Sequence, residues 1–355
     1  MNRSSAGGGT FDGVYQAFHD ECNRYAKQKK IKISRKTPKL YSMSASETFA
    51  KEMTSDGFEN LLDEIDVFIF GADGLCWLRD GVITDAANLV NFLIEEKKEV
   101  FVLTNDSTNS QESHEKKLRQ HRFNAKLDKK HIVTPGLLVA DYIKANTSNS
   151  KQAYLIASGG IKDDLKENGL NVFGYGPDVL PLLDDNDEDI CRLELVAKPD
   201  DVGAVIVARD IDFSYKKLLK AANFLRNSRC LFLATNDNGF TNDKNGNLII
   251  PDAGAIAASV QKASMREPVF IGKPHANGLK YIKKLRDTDE TKVMMICSSI
   301  KCDVMFARRN GLRSLLILNG NGEREELEKM RENQRQDYLP DYYATSLSAL
   351  LPLNK

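Results

Sequence analysis

Short apolar runs that stop abruptly at polar or glycine-rich turns, with helical stretches between them, constrain the fold of this chain more than any other feature. Val67 to Phe70 runs into GADG, Val100 to Leu103 into TND, Val293 to Ile296 into CSS, and Leu315 to Leu318 into NG. Runs of this length bounded by turn residues read as strands buried on both faces, the pattern of a parallel sheet. Between them FENLLDEI (58–65), NLVNFLIEEKKEV (88–100) and NGLKYIKKL (277–285) space their apolar residues as helices do. Strand and helix in alternation predict an α/β fold built on a parallel sheet. A second α/β unit lies between the two halves, with strand candidates QAYLIAS, GAVIVARD and CLFLATND and the helical stretch SYKKLLKAANFL. The expected organisation is a core of residues 57–146 and 268–355, an inserted domain at 147–267, and a basic, flexible extension at 1–56.

Charge and composition exclude several classes of function. Fifty Lys and Arg balance fifty Asp and Glu, so no global field advertises nucleic acid or an anionic membrane as the partner. The longest apolar runs fall far short of the roughly 20 residues that span a bilayer. The six cysteines form no CxxC pair, and MNRSSAGGG lacks the apolar core of a signal peptide. A reducing, cytoplasmic setting is the expectation. The basic stretch KQKKIKISRKTPKL at 27–40 reads as a solvated tail, or else as a nuclear-import signal or anionic docking arm. The acidic segment LLDDNDED at 182–189 reads as a solvated loop.

Ligands of open parallel sheets bind beyond the carboxyl ends of the strands. Four segments stand there: GADGLCW at 71–77, LTNDS at 103–107, IGKPHANG at 271–278 and ICSSIKCD at 296–303. In this order they resemble the four motifs of the haloacid dehalogenase superfamily, in particular its phosphoglycolate and 4-nitrophenyl phosphatase branch. Within the insert, ARDIDFSYKKL (208–218) is similar to that branch's cap motif, G-F-D-x-x-F-x-Y-x-K-L, and PDAGAIAASV (251–260) to its P-G-T-G-x-x-x-A-x-V segment. The resemblance implies a Rossmann-like parallel-sheet core, an inserted α/β cap, and dimerisation through the cap.

The resemblance also shows what this sequence lacks. In the superfamily an aspartate ending the first strand attacks phosphorus, and a second, two residues on, donates the leaving-group proton and then activates water. Here D-x-D-G reads Gly71-Ala72-Asp73-Gly74: the acid/base position survives as Asp73, and the nucleophile position is Gly71. The fourth motif, G-D-x-x-x-T-D, reads CSSIKCD, so Ser298 stands where an aspartate would ligate Mg²⁺, and only Asp303 is kept. Asp73 taking over the attack would need a shift of about 6.5 Å along an extended strand.

Thr104, Asn105 and Lys273 match the positions that hold the phosphoryl group, and Asp106 replaces a usual asparagine. They read either as a phosphate cradle without an attacking group, or as a polar core in which Lys273 pairs with Asp73 or Asp303. Asp210 matches the cap motif's aspartate and is a candidate for substrate contact, although Arg209 replaces the neighbouring phenylalanine. The expectation is a catalytically silent phosphatase homologue acting by binding, as regulator, scaffold or phospholigand sensor. Its partner would be a second copy, a paralogue met through the cap, or a phosphate-bearing small ligand. The alternative is a weak or altered Mg²⁺-dependent phosphatase, the one case in which a metal is expected.

Overall fold

The apolar runs form strands of two larger sheets whose pairings are all parallel, while two short pairs, Trp77–Leu78 with Gly81–Val82 and Phe240–Asn242 with Ile249–Pro251, are antiparallel. The computed structural model describes residues 50–78, 81–82, 84–147, 152–178, 198–242, 248–318, 321–333 and 335–352. The basic stretch at 27–40, the acidic segment at 182–189, Cys22 and Cys191 lie outside the described residues. In chain order the strands are β1 (Lys51–Glu52), β2 (Val67–Gly71), β3 (Trp77–Leu78), β4 (Gly81–Val82), β5 (Glu99–Leu103), β6 (Ile132–Val133), β7 (Gln152–Ile156) and β8 (Val172–Phe173). There follow β9 (Val202–Val207), β10 (Leu231–Ala234), β11 (Phe240–Asn242), β12 (Ile249–Pro251), β13 (Val269–Phe270), β14 (Val293–Cys297), β15 (Arg313–Ile317) and β16 (Tyr342–Ala344).

Among the described residues, the larger sheet has seven strands in the order β1-β16-β15-β14-β2-β5-β6, and a second has five, β13-β10-β9-β7-β8. The period of two along each strand divides the apolar residues between the faces of the larger sheet. Val67 and Ile69 pack on one side with Phe101, Leu103 and Met295. Phe68 and Phe70 pack on the other with Val100, Val102 and Ile296. The first of these clusters continues into the second sheet through Leu155, Ile206 and Leu233, so the two sheets share apolar packing.

Two short strands depart from the sequence reading. Lys51–Glu52, ahead of the boundary read at 57, already pairs with β16 at the edge of the larger sheet. Val269–Phe270 falls within the core bounds read at 268–355, yet it pairs with β10 of the second sheet, which extends that sheet beyond residue 267. Two-residue strands carry no periodicity of their own; the pairing partner decides where they belong.

The topology fixes where a site can lie. From β2 the chain steps outward to β5 and β6; from β14 it steps the other way to β15 and β16. The reversal falls between β2 and β14, which pair directly, Phe70 beside Ile296. A crevice opens beyond the carboxyl ends of strands at such a switch point.

Candidate functional site

Three of the four segments leave the larger sheet at this crevice, and the fourth, carrying Lys273, enters it from β13. Beyond β2, Gly74 at φ +87° makes the tight turn that sets Asp73 facing the end of β5; a side chain at 74 would press on Ser298. Thr104 Oγ1 donates to Asp73 Oδ1 at 2.6 Å, and the Asn105 amide donates to Asp73 Oδ2 at 3.0 Å. The Asn105 side chain is spent on the Lys273 peptide: its Nδ2 donates to the Lys273 carbonyl at 2.9 Å and its Oδ1 accepts from the Lys273 amide at 2.9 Å. That double bond ties the loop after β5 to the loop after β13 and delivers the lysine into the crevice.

The Lys273 ammonium, 2% exposed, donates to Asp303 Oδ1 at 2.8 Å and to the Leu103 carbonyl at 3.0 Å, with Asp73 Oδ2 at 3.9 Å. Burial, the largest single effect, acts to lower its pKa, but Asp303, Cys302 and Asp73 around it together outweigh that and the net shift is upward, so the ammonium stays charged. Beyond β14 the chain winds into a π-helical turn, Ile300–Val304, which carries Asp303 inward. A π-turn places residues that regular α-helical geometry would not. Asp303 Oδ2 accepts from the amides of Ser298 and Ser299 at 3.0 and 3.3 Å, and lies 3.1 Å from Ser298 Oγ. The same serine hydroxyl lies 2.5 Å from the Asp73 carbonyl.

The Asp303 carboxylate fills the volume that a side chain at residue 71 would require. A Cβ built on Gly71 would meet Asp303 Oδ2, Cγ and Oδ1 at 2.4, 2.6 and 2.7 Å. Asp73, Thr104, Asn105, Lys273, Ser298 and Asp303 are thus one hydrogen-bonded cluster, as their positions in the motifs suggested. Asp210 is not part of it. It is buried in the second sheet's unit, where Lys217 Nζ donates to Oδ2 and the Asp212 amide to Oδ1. An ion pair seven residues apart across the start of helix Tyr215–Phe224 satisfies it locally.

Burial pushes the thiols of Cys76, Cys297 and Cys302 above their ordinary range, so none is present as a thiolate nucleophile at neutral pH. Among the described residues, no three His, Cys, Asp or Glu side chains converge as a metal-binding group. Sequence reasoning missed His114, which is buried with Nε2 at 3.6 Å from Asp106 Oδ2. Its signal was present in the spacing, because Asp106 follows β5 and helix Gln111–Gln120 begins five residues on, turning His114 back toward that loop. That Asp303 fills the space of a side chain at residue 71 had no such signal.

An open parallel sheet with carboxylates, a threonine and a buried lysine gathered at its switch point is the core of a phosphoryl-handling hydrolase class. Residues 68–171 match the model of the haloacid dehalogenase-like hydrolases, and residues 270–350 match a second model described as HAD-hydrolase-like. A 4-nitrophenylphosphatase of Schizosaccharomyces pombe is 29% identical over 307 residues, covering 85% of this chain and 98% of its own. A Caenorhabditis elegans protein named as a NipSnap protein is 32% identical over 278 residues, covering 77% of this chain, and the matched part is 52% of that relative's length. The structure of p-nitrophenyl phosphatase from Archaeoglobus fulgidus superposes with a TM-score of 0.67 at 22% identity, covering 81% of this chain and 98% of its own. The chain belongs to the haloacid dehalogenase-like hydrolase family and is a homologue of its phosphatases.

Proposed function

We propose that this protein is a pseudophosphatase, a family member that acts by binding and does not turn over phosphate esters. The observation that carries this reading is the pairing of Gly71 with the Asp303 carboxylate. Glycine supplies no atom to attack phosphorus, and the space an aspartate would need is filled by another carboxylate. Asp73 is a poor replacement, because it stands two residues and about 6.5 Å along the strand from the attacking position and is held there by bonds from Thr104 and Asn105. Loss of a nucleophile from a covalent mechanism costs on the order of a million-fold in turnover.

The donor set also does not fit the family's Mg²⁺. Magnesium requires near-octahedral oxygen ligands at about 2.0–2.1 Å, usually including one or two carboxylates. Neither Gly71 nor Ser298 offers one, and the Ser298 hydroxyl sits on the Asp73 carbonyl, 2.5 Å away. Both Asp303 oxygens accept from protein donors. Of the binding roles, regulator or scaffold is favoured, through a second copy or a paralogue met at the cap, where Phe240, Ile249, Ile211 and Tyr215 are exposed. The test is hydrolysis of 4-nitrophenyl phosphate with and without Mg²⁺. Turnover at background is expected, and a rate within tenfold of an active relative's would overthrow the proposal.

A further inference from the structure

The groups that should hold a phosphoryl oxygen all converge on one side chain of this chain. Thr104 Oγ1 reaches Asp73 Oδ1 at 2.6 Å, the Asn105 amide reaches Asp73 Oδ2 at 3.0 Å, and the Lys273 ammonium lies 3.9 Å from the same oxygen. A hydroxyl, a backbone amide and an ammonium around two planar oxygens form an anion site, and the anion in it is a carboxylate. Two of the three ammonium protons are engaged by Asp303 and Leu103. The Thr104 hydroxyl has one proton, given to Asp73, while its oxygen accepts from the Asp106 amide at 2.9 Å. An entering phosphate would have to compete for these same donors.

We infer that Asp73 is an internal plug of the phosphate cradle, so that the wild-type protein excludes phosphate and removal of the Asp73 carboxylate unmasks a metal-independent anion site. The charges agree. Asp73, Asp303 and Lys273 together carry one net negative charge, and a phosphate dianion placed among them meets repulsion in a partly buried setting. Without the Asp73 carboxylate the remaining pair is neutral, and the hydroxyl and the amide point at the vacated volume, with the ammonium 3.9 Å from where its oxygen stood. The Asp73 side chain is 43% exposed, so the volume it vacates is open to solvent and a small oxyanion can reach it. This inference goes beyond the loss of catalysis and weighs against a phospholigand-sensing role for the unmodified chain.

The test uses the full chain as wild type, Asp73→Ala and Asp73→Asn, with EDTA present, titrated with inorganic phosphate against sodium chloride of matched ionic strength. Binding is read by isothermal calorimetry and by the shift in Tm. Wild type is expected to show no phosphate-specific shift. Asp73→Ala is expected to bind phosphate at least tenfold more tightly than wild type, and adding Thr104→Val should remove the gain. Asp73→Asn keeps the shape and loses the charge, so it decides the question should the alanine variant fail to fold; a phosphate-specific gain in it supports the plug. Saturable phosphate binding by wild type as tight as that of either variant, or no gain in any folded variant, overturns the inference. Neither readout involves turnover, so hydrolytic activity would sink the pseudophosphatase reading without deciding this one.

Discussion

Gly71→Asp, the change that restores the missing nucleophile, is expected to damage this protein. The new Cβ would start 2.4 to 2.7 Å from the Asp303 carboxylate atoms, so that carboxylate must move. Moving it breaks the bonds from Lys273, Ser298 and Ser299. Overpacking of a tight interior costs about 1–3 kcal/mol. Two carboxylates about 4 Å apart repel by about 4 kcal/mol at an effective dielectric constant near 20, before relaxation and protonation reduce it. A net loss of about 3–5 kcal/mol follows, and at about 2–4 °C per kcal/mol for a large domain Tm should fall by about 6–20 °C. Gly71→Ala isolates the steric part, and the difference between the two variants isolates the charge part. In Gly71→Asp with Ser298→Asp, Mg²⁺ has two carboxylates to bind and should raise Tm, whereas wild type should not respond. Differential scanning calorimetry with Mg²⁺ or EDTA measures all of this. Gly71→Asp melting within 2 °C of wild type, or hydrolysing 4-nitrophenyl phosphate, would refute the packing argument.

Three further outcomes are expected. Lys273→Met leaves Asp303 buried without its counter-ion and should cost about 3–5 kcal/mol; Asp303→Asn in the same chain should recover much of it, read by urea denaturation. Burial holds His114 below its ordinary pKa of 6.5 despite Asp106 nearby. The unfolded chain therefore takes up a proton near pH 6.5 that the folded chain refuses, so stability is full above that pH and falls as pH drops toward the folded value. His114→Gln should flatten the decline in Tm between pH 6.5 and 5. If the cap surface joins two chains, Phe240→Glu with Ile249→Glu should shift sedimentation toward the monomer, and an unchanged profile would rule that surface out as the contact.

The parts of this protein that its sequence determined are those set by local pattern or by the chemistry of one residue. Unbroken apolar runs such as VFIF and VMMI can only be satisfied inside a parallel sheet, and helical spacing between them dictates the crossovers. Gly71 cannot attack phosphorus in any fold. Motif order was enough to gather Asp73, Thr104, Asn105, Lys273 and Asp303 in one place. Tertiary structure alone decided what those residues do to each other. Asp303 lies over two hundred positions from Gly71, and only the packing of β14 against β2 brings its carboxylate into the volume that the glycine leaves. The same holds for the edge strand at Lys51 and for β13, whose two residues are too few to carry a pattern. Asp210 turned inward to Lys217, while Asp73 turned to Thr104 and the Asn105 amide. Both follow from one rule: a polar group in or beside the interior takes the partner that the fold brings within reach, and the sequence states only which groups need one.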